Sequence, residues 1–396
     1  MSFLAWIDFD QADRDRTRRI MDLFGTEESR DELGLGSIRD ALADLMFPGT
    51  SVIQTRLRYM LFVPWIFRLA ASRTGSAAAR LDFTRGYEIR LIDALLAGGE
   101  TTGIIGSEAR AQLKRLPSDV YWAGLQRWGV RAEPGSRADC LSLPPDSPAW
   151  ISGLPDMPDE MPPDPANLKP CDFILRSEEA SFLKDRLVIT ASETLLTTLA
   201  LSGWRPTYTE GKLDVSAVWL HSDRPNWSAR NRGIVTQAES FARVMRGASL
   251  LYNLVLAEQS AAAQGAENSQ WRDLVALYRQ SLTDWQEDLR TLSISDWKLT
   301  ELWTLAEDTS HRIAPLTMRF VGDWREIALR SVGAVADLST ARSLVEMREI
   351  RLKGSKSRLR NASALSRWNG ASGAGLLTYR WSTVASHLGD LANVAG

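Results

Sequence analysis

Ten of the sixteen prolines in this 396-residue chain fall between Pro134 and Pro170. Proline lacks an amide hydrogen and fixes its φ, so the run excludes a regular helix or strand there. The stretch is also acidic, as in "PDMPDEMPPDPANLKP". It divides the sequence into an N-terminal helical domain over 1–133, a Pro-rich linker or arm over 134–170, and a C-terminal helical domain over 171–396. Trp150 and Ile151 give an arm something to bury. A chain of this length is expected to hold more than one core.

On either side the pattern is helical. Ser37-Ile-Arg-Asp40 fits a capping box and opens a short helix that stops before Pro48. Thr50 or Ser51 is placed to cap the next, from about residue 51 to the early seventies, with a kink near Pro64. Apolar residues at three-and-four spacing in "SEEASFLKDRLVI", in "FARVMRGASLLYNLVLAEQSAAA" and around 271–291 and 335–353 predict further helices. Strand signals are few, and "KLDVSAVWL" is the strongest. The predicted class is mainly α and multi-helical, with a few short strands. Residues 101–130 read as a helix-turn-helix-like element, with a winged helix as one form of it. In that reading Ser107 caps the first helix and Pro117 ends it; Ser118 caps the second and Gly129 stops it.

A formal net charge of −2 gives no global field that attracts nucleic acid, so such attraction must come from local patches. Fifteen tryptophans are read first as large core side chains, with base stacking as the alternative. Two cysteines build no disulfide framework, and three scattered histidines argue against a zinc site. No metal and no cofactor is expected. The uncharged run before Arg68 is shorter than the ~20 residues a bilayer needs. The N-terminus turns acidic without a signal-peptide core. A cytoplasmic protein with no membrane partner is expected.

Three stretches carry candidate chemistry. In "FPGTSVIQTRLRYMLFVPWIFR", Gln54 and Arg58 are four residues apart, with Arg56 and Tyr59 beside them. Two arginines at an expected helix start oppose the helix dipole, which invites a phosphate partner. The alternative is pairing with Asp40, Asp44 or Glu88 inside the fold. Ser118, Tyr121 and Trp122 open the second helix of the 101–130 element, where they could enter a groove or stack on an extruded base. In "RLKGSKSRLRN", Arg351, Lys353, Lys356, Arg358 and Arg360 have no acidic residue among them, and Gly354 breaks the helix. Such a loop suits phosphate-backbone contact, or solvent. Among carboxylates, Asp8 and Asp10 alternate and could hold a metal as a pair. Asp40 and Asp44 share a helix face, with Asp44 the freer. A carboxylate or carboxamide facing a developing cationic sugar could activate water, which is the chemistry of base excision.

"RDELGLGSIRDALADLMFPGTSVIQTRLRYMLFVPWIFR" resembles the signature of a bacterial family of unknown function. "LKRLPSDVYWAGLQRWG", "FARVMRGASLLYNLVLAE" and "WNGASGAGLLTYRW" resemble its other blocks, so the similarity spans nearly the whole chain. Members of that family lie in mobile and anti-phage defence loci near DNA-handling genes, which implies a defence role. "IQTRLRYMLF" is also similar to the core of bacterial winged-helix DNA glycosylases, where a Gln-x-Asp or Gln-x-Gln motif positions the attacking water. Gln54 matches the first position; Arg56 stands where the motif has a carboxylate or amide, leaving Asp44 to complete water activation. The function this implies is an antiviral DNA glycosylase that excises a modified base from double-stranded phage DNA. Its DNA contacts would be Arg56, Arg58, Tyr59, Ser118, Tyr121, Trp122, Lys353, Lys356, Arg358 and Arg360. The alternative is a non-catalytic DNA-binding or scaffold subunit that works with other defence-locus proteins. A metal-dependent nuclease built on Asp8 and Asp10 comes third.

Overall fold

The computed structural model describes residues 31–143, 149–264, 269–292, 294, 297–331 and 333–395. Among these residues the fold is mainly α, with fourteen α-helices and four two-residue strands. The chain forms two compact units, one of Ala43–Val235 with Arg380–Gly396, the other of Met1–Leu42 with Thr236–Tyr379. Asp8 and Asp10 lie outside the described residues.

Helix α1 spans Gly36–Met46. The Ser37 capping box does not form. Asp31 takes its place, accepting the free N–H groups of Leu35 at 2.6 Å and Gly36 at 2.8 Å. A second correction concerns α2, which spans Tyr59–Ala71 and begins about eight residues later than Thr50 or Ser51 would start it. The Thr50 hydroxyl instead donates to Phe47 O at 2.7 Å, closing a turn. Helix α2 accommodates Pro64 and is buried along almost its whole length, including Phe62, Trp65, Ile66 and Phe67. A helix apolar on all sides has to be enclosed by others. Here α3 (Ala77–Ala97) and α4 (Pro117–Arg127) pack against it.

Residues 101–116 form turns and a three-residue 3-10 helix, Arg110–Gln112, so the first α-helix of the expected pair is missing. Pro117 starts α4 rather than ending its predecessor, as suits a residue with no N–H to leave unpaired. A short helix α5 at Arg137–Ser142 corrects the expectation that the Pro-rich segment holds no regular element: no proline falls between Pro134 and Pro144, and Ser136 with Asp139 caps the helix. The described part of the Pro-rich segment is a packed arm. It accepts Trp65 Nε1–H at Pro155 O (2.8 Å) and the Tyr87 hydroxyl at Pro162 O (2.9 Å), and Met161 is buried. Where the arm returns, Gly98 ends α3 with so little room that a Cβ there would lie 1.8 Å from Cys171 O. Helices α6 (Ser177–Ala191), α7 (Leu195–Ser202) and, late in the chain, α14 (Trp381–Ala392) complete this unit.

Strand β1 (Leu175–Arg176) pairs in parallel with β4 (Val394–Ala395). Strands β2 (Tyr208–Thr209) and β3 (Lys212–Leu213) form a hairpin. Glu210 and Gly211 at its tip both have positive φ, as a two-residue turn matched to strand twist requires. The rest of "KLDVSAVWL" is not strand, and Val218–Leu220 is 3-10.

The other unit takes most of α8 (Ala229–Gln264), then α9 (Ser269–Thr291), α10 (Leu299–Glu307), α11 (Pro315–Arg330), α12 (Ser339–Lys353) and α13 (Ala362–Leu365). Helix α9 buries Trp271, Leu274, Tyr278, Leu282, Trp285 and Leu289, a three-and-four series along one face. The tryptophans act as struts. Trp285 Nε1 donates to Arg243 O at 2.8 Å, Trp324 Nε1 to Val244 O at 2.9 Å, and the two indoles stack 6.0 Å apart. Burying a large ring while its N–H finds a carbonyl explains why the chain carries so many.

Candidate functional site

The site is the loop between α1 and α2, residues 47–58, whose turns are held by side chains from several elements. Gln54 braces it from within: Oε1 accepts Ser51 N–H at 3.2 Å and Nε2 donates to Gly49 O at 3.1 Å. Arg380, the residue just before α14, holds it from outside, donating through Nη1 to Asp44 Oδ1 at 2.6 Å and Thr50 O at 2.8 Å. Asp44 and Gln54 therefore sit on two sides of one turn. Gln54 is buried and turned inward, and the Asp44 carboxylate carries an ion pair.

Tyr121 on α4 supports the next residues. Its hydroxyl accepts Thr55 N–H at 2.9 Å and donates to Arg56 O at 2.7 Å. Burial pushes the acidity of this phenol far below normal, so it stays protonated and can perform both roles. Trp128 Nε1 donates to Pro48 O at 2.9 Å, and Tyr59, also buried, accepts Ile105 N–H at 3.1 Å. Gly124 faces the loop so closely that a Cβ would lie 2.6 Å from Gly49 O.

The two arginines meet carboxylates, though none of the three named from sequence. Asp390 on α14 receives Arg56 Nε at 3.0 Å and Nη2 at 2.9 Å, and also Leu57 N–H at 2.7 Å. Glu100 lies 3.5 Å from Arg56 Nη1. Arg58 is deeper, with Nη2 and Nε on the two oxygens of Glu179 at 2.8 and 3.0 Å and Nη1 on Asp172 at 2.8 Å. Burial raises the Asp390 pKa while Arg56 works against it. A cavity of about 150 Å³ opens beside Arg58, lined by Phe62, Cys171, Asp172 and Arg176. Burial lifts the Cys171 thiol to about 11, so it is no ready nucleophile at neutral pH.

Ser118 lies inside the first turn of α4. Its N–H and hydroxyl both donate to Glu88, at 2.6 and 3.0 Å. Burial pushes the Glu88 carboxyl up to about 7, with the Ser118 bonds pulling the other way. Trp122 packs 5.0 Å from Phe67 and edge-on to Trp150, with Arg131 over its ring at 4.6 Å. Beneath the loop, His387 is fully enclosed 6.5 Å from Tyr121, and neither ring nitrogen has a hydrogen-bond partner among the described residues. Desolvation, with a smaller push from Arg56, depresses its pKa to about 3.

In the other unit, the basic loop after α12 is split in two. Lys353 and Arg358 both bind the Glu32 carboxylate, Arg358 at 2.8 Å, beside the Tyr252 hydroxyl. Lys356 and Arg360 are exposed, as are Arg351 before them and Arg367 after. Gly354 ends α12 at φ +54.

Asp390, Glu100, Glu179, Asp172, Arg380 and His387 are site members that sequence reasoning did not name. Each is an ordinary residue in its local pattern, and only the tertiary fold carries it to the loop.

The model of a family of unknown function, DUF6361, matches residues 1–396. The chain belongs to that family. No curated protein and no solved structure matches it. Among the described residues of this DUF6361 chain, no helix is long and apolar enough to cross a membrane, and no group of three or more His, Cys, Asp or Glu is placed to hold a metal ion.

Proposed function

We propose that the chain is a non-catalytic DNA-contacting subunit. The observation that carries this reading is the cationic run after α12. No acidic residue occurs between Glu349 and Asp390, and Lys356, Arg360 and Arg367 are exposed along that run. Lys353 and Arg358 pair with Glu32, and Glu349 lies 3.6 Å from Lys353, so these two cations shape the loop while the exposed ones face phosphates. The groups on which a base-excising site would be built support the same choice. Gln54 is buried and bonded into its own loop, and Asp44 Oδ1 is paired with Arg380, so both side chains brace the 47–58 loop.

The test is duplex-DNA binding across a salt series, with base release from modified and unmodified phage DNA measured in parallel. Replacing Lys356, Arg360 and Arg367 with Glu should weaken binding and flatten the log–log salt slope by roughly 0.9 for each phosphate that is no longer neutralised. Gln54→Ala should leave the slope unchanged. Base release by the wild type that a folded Gln54→Ala variant lacks would instead establish the glycosylase reading. An unchanged slope in the triple variant would remove the DNA reading.

A further inference from the structure

Helices α11 and α12 pack together with an open seam between them: Leu316, Arg319 and Phe320 line it with Arg348 and Arg351, while Ile327 lines it with Ser339 and Ser343. Two cavities of about 210 and 400 Å³ occupy the seam and share Asp323, Leu344 and Met347, so they form one continuous groove. From Leu316 to Ile327 the wall is ~17 Å long at 1.5 Å per residue, or about three helical turns. Among the described residues its floor is apolar and uncovered: Leu316 is 51% and Met347 58% exposed. Exposed side chains of this size in one contiguous groove mark a contact surface.

The charge around the groove has one dominant sign. Arg348 is buried in the wall, and its guanidinium donates to neutral acceptors: Leu33 O at 2.8 Å, Thr317 Oγ1 at 2.8 Å, Gly34 O at 3.2 Å and Leu316 O at 3.3 Å. The guanidinium is thus held in place by dipoles, with Asp31 acting on it through its charge and no carboxylate hydrogen-bonded to it among the described residues. Arg319 and Arg351 add exposed cations at the same end, against Asp323, which lies 3.7 Å from Arg319.

We propose that this groove docks an acidic amphipathic helix of a partner protein. Apolar residues at i, i+4 and i+7 of such a helix match a three-turn apolar floor, and flanking carboxylates match the arginine rim. The proposal fits a scaffold subunit but uses residues other than Lys356, Arg360 and Arg367, so it stands or falls separately from DNA binding.

The experiment uses the full chain and a fluorescein-labelled helical peptide of about 16 residues, with Leu at i, i+4, i+7 and i+11 and Glu on both flanks. A matched peptide carries Lys in place of Glu. Anisotropy should show saturable binding of the Glu peptide at least tenfold tighter than of the Lys peptide. Met347→Asp, at an exposed position, should weaken it at least tenfold with unchanged circular dichroism. Arg319→Glu with Arg351→Glu should reverse the preference between the two peptides, and Lys356→Glu should leave it alone. Equal binding of both peptides, or Glu-peptide binding that survives Met347→Asp, would overturn the proposal. So would a concentration-dependent dimer that Met347→Asp abolishes, since that assigns the groove to a second copy.

Discussion

The guanidinium of Arg58 meets the carboxylate of Glu179 edge to edge, with both donor–acceptor distances at or below 3.0 Å and both side chains almost wholly enclosed. This bidentate pair ties the start of α2 to the first turn of α6. Glu179 also accepts Arg176 N–H at 3.1 Å, so one carboxylate caps a helix and neutralises a buried cation.

Arg58→Met should destabilise the protein by about 3–5 kcal/mol, because it leaves a buried carboxylate without its cation. Adding Glu179→Gln to that variant should recover part of the deficit. Thermal melting of the two variants checks both statements; equal melting temperatures for wild type and Arg58→Met would contradict the first.

Glu88 predicts a pH dependence. Folded, its carboxyl keeps its proton up to about 7, against 4.5 for the ordinary group. Between those values the folded state binds more protons than the unfolded state, so stability declines as pH rises from 4.5 and levels off above 7. Glu88→Gln removes this dependence, and relative to wild type it should gain about 2–3 kcal/mol on going from pH 5 to pH 8. Urea melts at the two pH values read the difference.

His387 acts in the opposite direction. Its folded pKa near 3 lies below the ordinary 6.5, so the unfolded state takes up the proton first on acidification. That share of stability is present above 6.5 and is lost as pH falls toward 3. His387→Leu should therefore gain on wild type by about 2 kcal/mol at pH 5 compared with pH 8. An identical difference at both pH values would mean that the ring is not held neutral.

Gly124→Ala should cost about 1–3 kcal/mol and loosen the 47–58 loop, since its methyl meets the Gly49 carbonyl, which is backbone and has little freedom to retreat. Gly86→Ala on α3 is the matched control. Nothing lies within 4 Å of a Cβ there, so the same change should stabilise by about 0.5–1 kcal/mol. Hydrogen exchange over residues 47–58 distinguishes a local from a global effect.

The strongly periodic helices were legible in the sequence. The α9 series from Trp271 to Leu289 and the end of α12 before Gly354 follow from spacing and from a residue able to take positive φ. The start of α2 was not. Thr50 and Ser51 carry the composition of a cap, yet the Thr50 hydroxyl closes a turn, and the chain stays irregular until Tyr59 because Tyr121, Asp390 and Arg380 satisfy its backbone from outside. The same applies to Arg56 and Arg58. Their position against the helix dipole signalled a need for anions, but local sequence cannot tell a phosphate from carboxylates that arrive from residues 100, 172, 179 and 390. The sequence places Ser118 and Tyr121 at the start of a groove-facing helix, and their polarity instead serves Glu88 and the loop.

Arg56 and Asp390 stand 334 positions apart along the chain. A ribosome adding roughly 5–20 residues per second needs about 17–67 s to travel from one to the other. During that interval α2 has already emerged, and the loop before it lacks both the α14 carboxylate and the arginine that precedes α14. The 47–58 segment therefore closes late in synthesis, shortly before β1 can pair with β4, and the nascent chain carries Arg56 uncovered by Asp390 until α14 leaves the exit tunnel.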